Sequence, residues 1–126
     1  MEVLVDSSVW IDYFQSAKRS SSLDILIEEN IIVTNDLILA ELIPVLRIQK
    51  QPQLIQLLSL LPKLHLAIQW QEVIEFQISC LRHGLNGVGV ADLIIIQNAL
   101  QNKVMIYSLD KHFPIAEKFF HYVMFR

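Results

Sequence analysis

The segment VLVDSSVW (residues 3–10) joins an apolar run to an aspartate, two serines and a tryptophan. A short run rich in valine predicts a buried β-strand, and Asp6 stands where that strand ends. An aspartate at this point can simply cap the following helix, because Asp and Ser side chains accept hydrogen bonds from the free N–H groups of a first turn. It can also belong to a functional site. The choice depends on whether other acidic residues occupy similar positions.

The composition predicts one domain over residues 1–126, large enough to bury a core without disulfides or a structural metal. Apolar residues make up 53% of the chain, and its mean hydropathy of +0.42 is high for this length. Such a surplus predicts apolar surface that meets a partner, so we expect a homodimer rather than a monomer. The segments LDILI (residues 23–27) and LIQLLSLL (residues 54–61) are the candidates for that surface.

Charge and cysteine content limit the classes of protein to which this chain can belong. The formal net charge is −3, which excludes a global positive field, so any contact with nucleic acid must be local. Short basic clusters at residues 18–19, 81–83 and 110–112 are typical of solvated surface. A single cysteine, Cys80, cannot form an internal disulfide, and no apolar stretch approaches the roughly 18 residues of a membrane helix. Because a signal-peptide pattern is also absent, we expect a cytoplasmic protein.

Short apolar runs alternate with longer segments of helical period, which predicts an α/β domain with a central, mostly parallel sheet flanked by helices. Strands are expected at residues 2–5, 31–33, 64–66, 104–107 and 122–125. Helices are expected after Asp6, from a Ser21–Asp24 capping box through Glu29, from an Asp36 cap through about Gln49, from Pro52, and over residues 70–83, 91–102 and 114–120.

Glu41, in the segment NDLILAELIPVLR, is an acidic residue with apolar neighbours. The residues one turn away on its own helix face are Leu37, Ile38, Pro44 and Val45. A charged carboxylate in such a patch loses several kcal/mol of hydration unless a cation or hydrogen-bond donors compensate for it. The alternative is a surface glutamate that reaches water where the helix turns outward.

Asp92 and Asp110 also stand at the ends of predicted elements. Asp92, in GVGVADLIIIQNAL, lies between a glycine-containing loop and an apolar helix, which it could cap. Asp110, in VMIYSLDKHF, follows the fourth predicted strand as Asp6 follows the first, and a turn residue there needs no function. The glycines of GVG lack the third glycine and the preceding strand of a dinucleotide-binding loop.

Together the four acids predict a metal site. In a parallel α/β sheet the carboxyl ends of the strands share one edge, where ligands bind, so Asp6 and Asp110 should converge. Several carboxylates in one pocket repel each other and raise each other's pKa values unless a positive charge lies among them. Only Lys111 and His112, beside Asp110, offer one at a matched strand end. A Mg²⁺ or Mn²⁺ ion, which prefers oxygen ligands and keeps several waters, is the simplest source of the positive charge that these carboxylates need.

These residues resemble the PIN domain, particularly the VapC-type toxin ribonucleases of toxin–antitoxin pairs. VLVDSSVWIDYF resembles the opening strand of that family with its aspartate, and LILAEL resembles the motif with its helical glutamate. LRHGLNGVGVADLIIIQNAL and IYSLDKHFPIA resemble the segments with the third and fourth acids, although the family commonly has a small residue where this chain has Ile95 or Ile96. The resemblance covers essentially the whole chain and implies a three-layer α/β fold.

By this resemblance, Asp6, Glu41, Asp92 and Asp110 are catalytic metal-site residues, and Ser7 and Ser108 are hydroxyls that support the ligands. The implied reaction is hydrolysis of RNA by a water that one or two divalent metal ions activate, with 5′-phosphate products. The resemblance also implies a homodimer and a cognate antitoxin protein that silences the enzyme.

Other classes of protein fit less well. A haloacid-dehalogenase-type phosphatase needs a second aspartate two residues after the first, where this chain has Ser8. A receiver domain needs paired acids near its first strand and a lysine after its last, and flap-type DNA nucleases carry more acids and large insertions. A PIN-like domain that binds RNA or a protein without cutting remains an alternative, although degenerate members typically lose one or more of the acids.

Overall fold

A computed structural model describes residues 1–16 and 19–126, so Lys18 of the first basic cluster lies outside the described residues. The described residues form three strands and seven helices, in the order β1 (Val3–Val5), α1 (Ser7–Gln15), α2 (Ser22–Glu28), β2 (Ile32–Val33), α3 (Asp36–Ile48), α4 (Pro52–Ser59), α5 (Trp70–Arg82), α6 (Val90–Asn102), β3 (Met105–Tyr107) and α7 (His112–Phe120). This order confirms the predicted α/β class. Every helix within these residues is too short or too polar to span a bilayer.

The three strands form one parallel sheet in the order β2-β1-β3, with Val3 opposite both Ile32 and Met105. Successive side chains of a strand point to opposite faces of the sheet. Those on one face pack with α5, α6 and α7, and those on the other face pack with α1, α2, α3 and α4. Because both faces are buried, the strands are apolar throughout and the domain has three layers, as expected.

Two of the predicted strands are wrong. Residues 64–66 and 122–125 lie beside the sheet, and these regions contribute only two isolated parallel bridges, Thr34 with Lys63 and Ile106 with Met124. Side chains of α6 instead satisfy the backbone before α5: Asn98 donates to the His65 carbonyl at 3.0 Å and Gln101 donates to the Ala67 carbonyl at 2.9 Å. The apolar alternation of LHL resembled a strand, but amide groups provide the partners that a neighbouring strand would provide.

Two predicted helix caps are also wrong. Asn35, not Asp36, caps α3, because its side-chain oxygen accepts from the Ile38 N–H at 2.9 Å. Ser21 has helical backbone angles and its side chain caps no N–H group of α2, and Asp24 accepts instead from the hydroxyl of a tyrosine on α1 at 2.6 Å. Each helix nevertheless begins within one or two residues of its predicted position. The hydrophobic period determines the position of a helix more strongly than any single cap residue does.

Candidate active site

The parallel sheet brings two of the predicted acids to one edge. Asp6 directly follows β1, and its N–H donates to the Tyr107 carbonyl of β3 at 2.9 Å, so the two strands stay in register up to the aspartate. Ser108 and Asp110 follow β3 at the same end. The predicted convergence of Asp6 and Asp110 at the carboxyl edge is therefore confirmed.

Asp6 is buried, with 6% of its surface exposed, and two hydroxyl groups hold its carboxylate. Its Oδ2 accepts from Ser8 Oγ at 2.8 Å and from Ser108 Oγ at 2.9 Å. The Leu109 N–H in turn donates to Ser8 Oγ at 3.0 Å, which ties α1 to the loop after β3. These hydrogen bonds hold the carboxylate from two parts of the fold, α1 and the loop after β3.

Ser8 takes the place that was expected for Ser7. Ser7 is the first residue of α1, and its hydroxyl is not among the groups that bond to Asp6 within the described residues, whereas Ser108 has the expected role. A serine two residues after a strand-end aspartate can reach back to that carboxylate across the helix N-terminus, but the adjacent Ser7 offers the same chemistry, so the sequence does not distinguish the two.

His112 is a site residue that the sequence indicated only as a neighbouring cation. Asp110 Oδ1 accepts from the His112 backbone N–H at 2.9 Å and lies 2.7 Å from His112 Nδ1. The Asp110 N–H also donates to Ser108 Oγ at 3.0 Å. Ser108 therefore contacts both strand-end acids, and His112 holds the second of them from the start of α7.

Asp92 stands in the first turn of α6, where its Oδ2 accepts from the Gly89 N–H at 3.1 Å. This bond is one half of the capping role that was considered for it. Burial raises the pKa of Asp92 above its ordinary value, and the charges of Asp110 and Asp6 raise it further, although the Gly89 N–H and His112 act in the opposite direction. The capping function thus coexists with repulsion from both strand-end acids.

Glu41 is exposed on α3, so the fully apolar environment suggested by its helix neighbours is wrong. Neighbouring protein still reduces its hydration enough to raise the pKa of Glu41, and the charges of Asp6 and Asp92 add to this rise. The alternative of a glutamate on the surface is thus partly correct. The charges of Asp6 and Asp92 nevertheless disfavour the ionised form of Glu41.

The donor set suits a hard divalent cation. Carboxylate oxygens dominate the site, and within the described residues His112 is the one basic side chain in an ion pair with any of the four acids. No group of three or more His, Cys, Asp and Glu side chains in residues 1–16 and 19–126 could hold a metal ion as the side chains stand. Mg²⁺ keeps several waters and needs only one or two carboxylates, so the oxygen-rich site fits a hydrated ion better than a closed protein cage.

In open α/β sheets ligands bind outside the carboxyl ends of the strands, and two of the predicted acids, Asp6 and Asp110, follow strands at that edge of this sheet. The family model of the PIN domain matches residues 3–118, and the chain therefore belongs to the PIN domain family. Members of this family are mostly metal-dependent nucleases and typically use divalent metals. No curated protein matches the chain significantly.

Proposed function

We propose that the chain is a Mg²⁺- or Mn²⁺-dependent endoribonuclease whose metal-site and catalytic residues are Asp6, Glu41, Asp92 and Asp110. The observation that carries this proposal is the position of Asp6 and Asp110 at one edge of the sheet, where Ser108 Oγ bonds to both residues. Burial raises the pKa values of Glu41 and Asp92, and repulsion from neighbouring acids, Asp6 among them, raises both further. A divalent cation relieves such repulsion, and membership of a nuclease family supports the same conclusion.

The protein residues position the reaction and need not act as nucleophiles. When bound, the metal supplies a water of lowered pKa and positive charge opposite the attacked phosphate. Ser8 and Ser108 hold the carboxylate of Asp6, and the Gly89 N–H orients Asp92. The products would carry a 5′-phosphate and a 3′-hydroxyl, because water would add to phosphorus in place of the ribose 2′-OH and the bond to the 3′ oxygen would break.

The decisive experiment is cleavage of a panel of structured and single-stranded RNAs and DNAs in magnesium, with the wild type and Asp6→Asn. The proposal expects RNA cleavage by the wild type, loss in excess chelator, recovery on adding Mn²⁺, and 5′-phosphate ends. Cleavage that survives excess chelator contradicts a metal-dependent reaction. RNA binding without cleavage identifies the alternative, a catalytically silent PIN-like module that binds RNA or protein.

We further propose that the chain is a cytoplasmic toxin of a type II toxin–antitoxin pair, with a cognate antitoxin protein as its partner. The resemblance to VapC-type toxins and the PIN domain match over residues 3–118 support this role. Induced expression of the wild type should arrest bacterial growth, whereas Asp6→Asn at equal abundance should not. Normal growth with a soluble and cleavage-competent wild type contradicts the toxin role but not the nuclease.

A homodimer contact is proposed on α5 instead of the segments 23–27 and 54–61. Those two segments expose one large apolar side chain each, Ile25 and Leu60. Helix α5 exposes a stripe at helical spacing, formed by Trp70, Ile74, Ile78 and Leu81. Its first half is acidic and its second half is basic, so two antiparallel copies place opposite charges together. Sedimentation should show a dimer that Ile74→Glu dissociates and the matched control Ile25→Glu does not.

A further inference from the structure

His112, the first residue of α7, lies between the loop that carries Asp110 and the glycine-containing loop that leads into α6 and Asp92. On one side, its Nδ1 lies 2.7 Å from Asp110 Oδ1. An ionised carboxylate only accepts hydrogen bonds, so this nitrogen carries the proton and the imidazole donates to Asp110. The side chain is 30% exposed, which means that protein covers most of the ring.

The opposite edge of the same ring lies against Gly87. A Cβ atom at position 87 would stand 2.1 Å from His112 Nε2 and 2.7 Å from Cε1, distances that no side chain tolerates. The first glycine of GVG thus provides space for the imidazole. Two residues later the same loop reaches Gly89, whose N–H donates to Asp92.

We propose that His112 is a positioning residue that sets the spacing of Asp110 and Asp92, with Gly87 as the counterpart that lets the ring fit between their loops. His112 acts through Asp110 by hydrogen bonding and through the Gly87 loop by contact. The inference rests on the proposed metal-dependent function, because the spacing of these two carboxylates matters most when both serve one metal site. Residues behind metal ligands commonly change metal affinity by about 10–100-fold when they are removed.

The test measures Mn²⁺ affinity of the full chain without RNA, by the electron paramagnetic resonance signal of free Mn²⁺. His112→Ala removes both contacts and should weaken binding by about 10–100-fold. His112→Asn should stay within about threefold of the wild type, because the asparagine amide nitrogen occupies the place of Nδ1 and keeps the donor to Asp110. His83→Ala, which removes a histidine on the far end of α5 that contacts the Ser79 carbonyl, is the matched control and should bind normally.

The contact with Gly87 is tested by a double-mutant cycle. Gly87→Ala should weaken Mn²⁺ binding by about tenfold in the wild type, since the new methyl group displaces the imidazole. In the His112→Asn background the same change should have little effect, because asparagine lacks the ring edge that Gly87 accommodates. An equal loss in both backgrounds would mean that Gly87 acts through its backbone alone and overturns the role of the contact.

The outcomes separate this inference from the proposed function. If the wild type binds Mn²⁺ and His112→Ala binds it equally well, the positioning role is overturned while the metal site stands. If the wild type and every variant fail to bind Mn²⁺, the proposed metal dependence itself is contradicted. Melting curves in chelator accompany each variant, and His112→Asn keeps the cycle informative if His112→Ala does not fold.

Discussion

The two strand-end acids and the two helical acids of the site are held in different ways. Asp6 accepts hydrogen bonds from two hydroxyl groups, and Asp110 is held by the backbone and the ring of His112. Asp92 accepts one backbone N–H, and Glu41 lies exposed with a raised pKa. The strand-end acids therefore each accept two hydrogen bonds, whereas Asp92 accepts one and the pKa of Glu41 is raised by lost hydration and by acidic neighbours. In the proposed metal site the strand-end acids provide fixed geometry, and the helical acids are the ones whose ionised form a bound cation would favour most.

The largest expected effect is on RNA cleavage, and it follows from removing the charge of Asp6, the buried acid that two hydroxyl groups hold. Asp6→Asn keeps the shape of the side chain but should lower RNA cleavage about a thousandfold or more, since metal assistance contributes several kcal/mol to the barrier. Single-turnover cleavage in saturating Mg²⁺ measures the loss. Glu117→Gln, which removes an acid that pairs with Arg126 elsewhere, is the control and should cut normally. Normal cleavage by Asp6→Asn would remove that residue from the metal site.

A smaller loss of cleavage or metal affinity should follow from removing the serine hydroxyl groups that donate to the strand-end acid Asp6. Ser108→Ala deletes a hydroxyl that contacts Asp6 and supports Asp110, and it should lower cleavage or metal affinity by about 10–100-fold. Ser8→Ala should act similarly through Asp6. Ser7→Ala is the informative comparison and should remain near the wild type. A larger loss for Ser7→Ala than for Ser8→Ala would reverse the assignment made from the structure.

Without metal, removing a helical acid should change the stability of the protein differently from removing a strand-end acid. Asp92→Asn and Glu41→Gln each remove a repelled charge, so both should raise the melting temperature in chelator by a few degrees, corresponding to about 1 kcal/mol or less in a partly exposed site. Asp6→Asn should not, because two hydroxyl donors lose an ionised acceptor. Equal stabilisation by all three variants would contradict the distinction between strand-end and helical acids.

The smallest effect is on the pH dependence of stability. A raised pKa means that folded Asp92 binds its proton more tightly than the unfolded chain does, so the free energy of unfolding falls as pH rises from the ordinary pKa of 3.8 through the folded pKa. Urea unfolding of the metal-free chain between about pH 4 and 7 should show this fall, and Asp92→Asn should reduce its slope. The pKa of Glu117 is lowered by Arg126, so its contribution has the opposite sign and lies below 4.5. An unchanged slope in Asp92→Asn would exclude Asp92 as the source.

The sequence predicts those parts of the site that follow from topology. The carboxyl ends of parallel strands share one edge, so the positions of Asp6 and Asp110 after two such strands were enough to predict that they lie close together. The choice of Ser8 over Ser7 depends on which hydroxyl turns back at the start of a helix, and sequence spacing does not fix it. The contact of His112 with Gly87 joins two loops 25 positions apart, and a histidine beside an aspartate gives no sign of it. The metal-binding role of the four acids stays a prediction.

The same limit applies to elements with unusual partners. LHL at residues 64–66 has the alternation of a strand, but within the described residues only its Leu64 N–H bonds to the segment after β2, and an amide of α6 bonds to the His65 carbonyl. Asn35 rather than Asp36 caps α3, partly because its amide also donates to Asn98 Oδ1 at 2.9 Å across the core. Both differences depend on residues more than 30 positions away, which a local pattern cannot include. The predicted helix positions and the parallel sheet class are correct because they depend on the burial of whole faces.

The central position of β1 has a consequence for how the molecule is made. This strand is synthesised first, yet its bond between Asp6 and Ser108 joins residues 102 positions apart. At a translation rate of 5–20 residues per second, roughly 5 to 20 seconds separate the two residues on the ribosome. During that interval one edge of β1 has no strand beside it and can pair wrongly. The carboxyl edge is complete only once β3 and Ser108 have emerged, so a nascent or truncated chain that ends before Ser108 leaves Asp6 without one of its two hydroxyl donors.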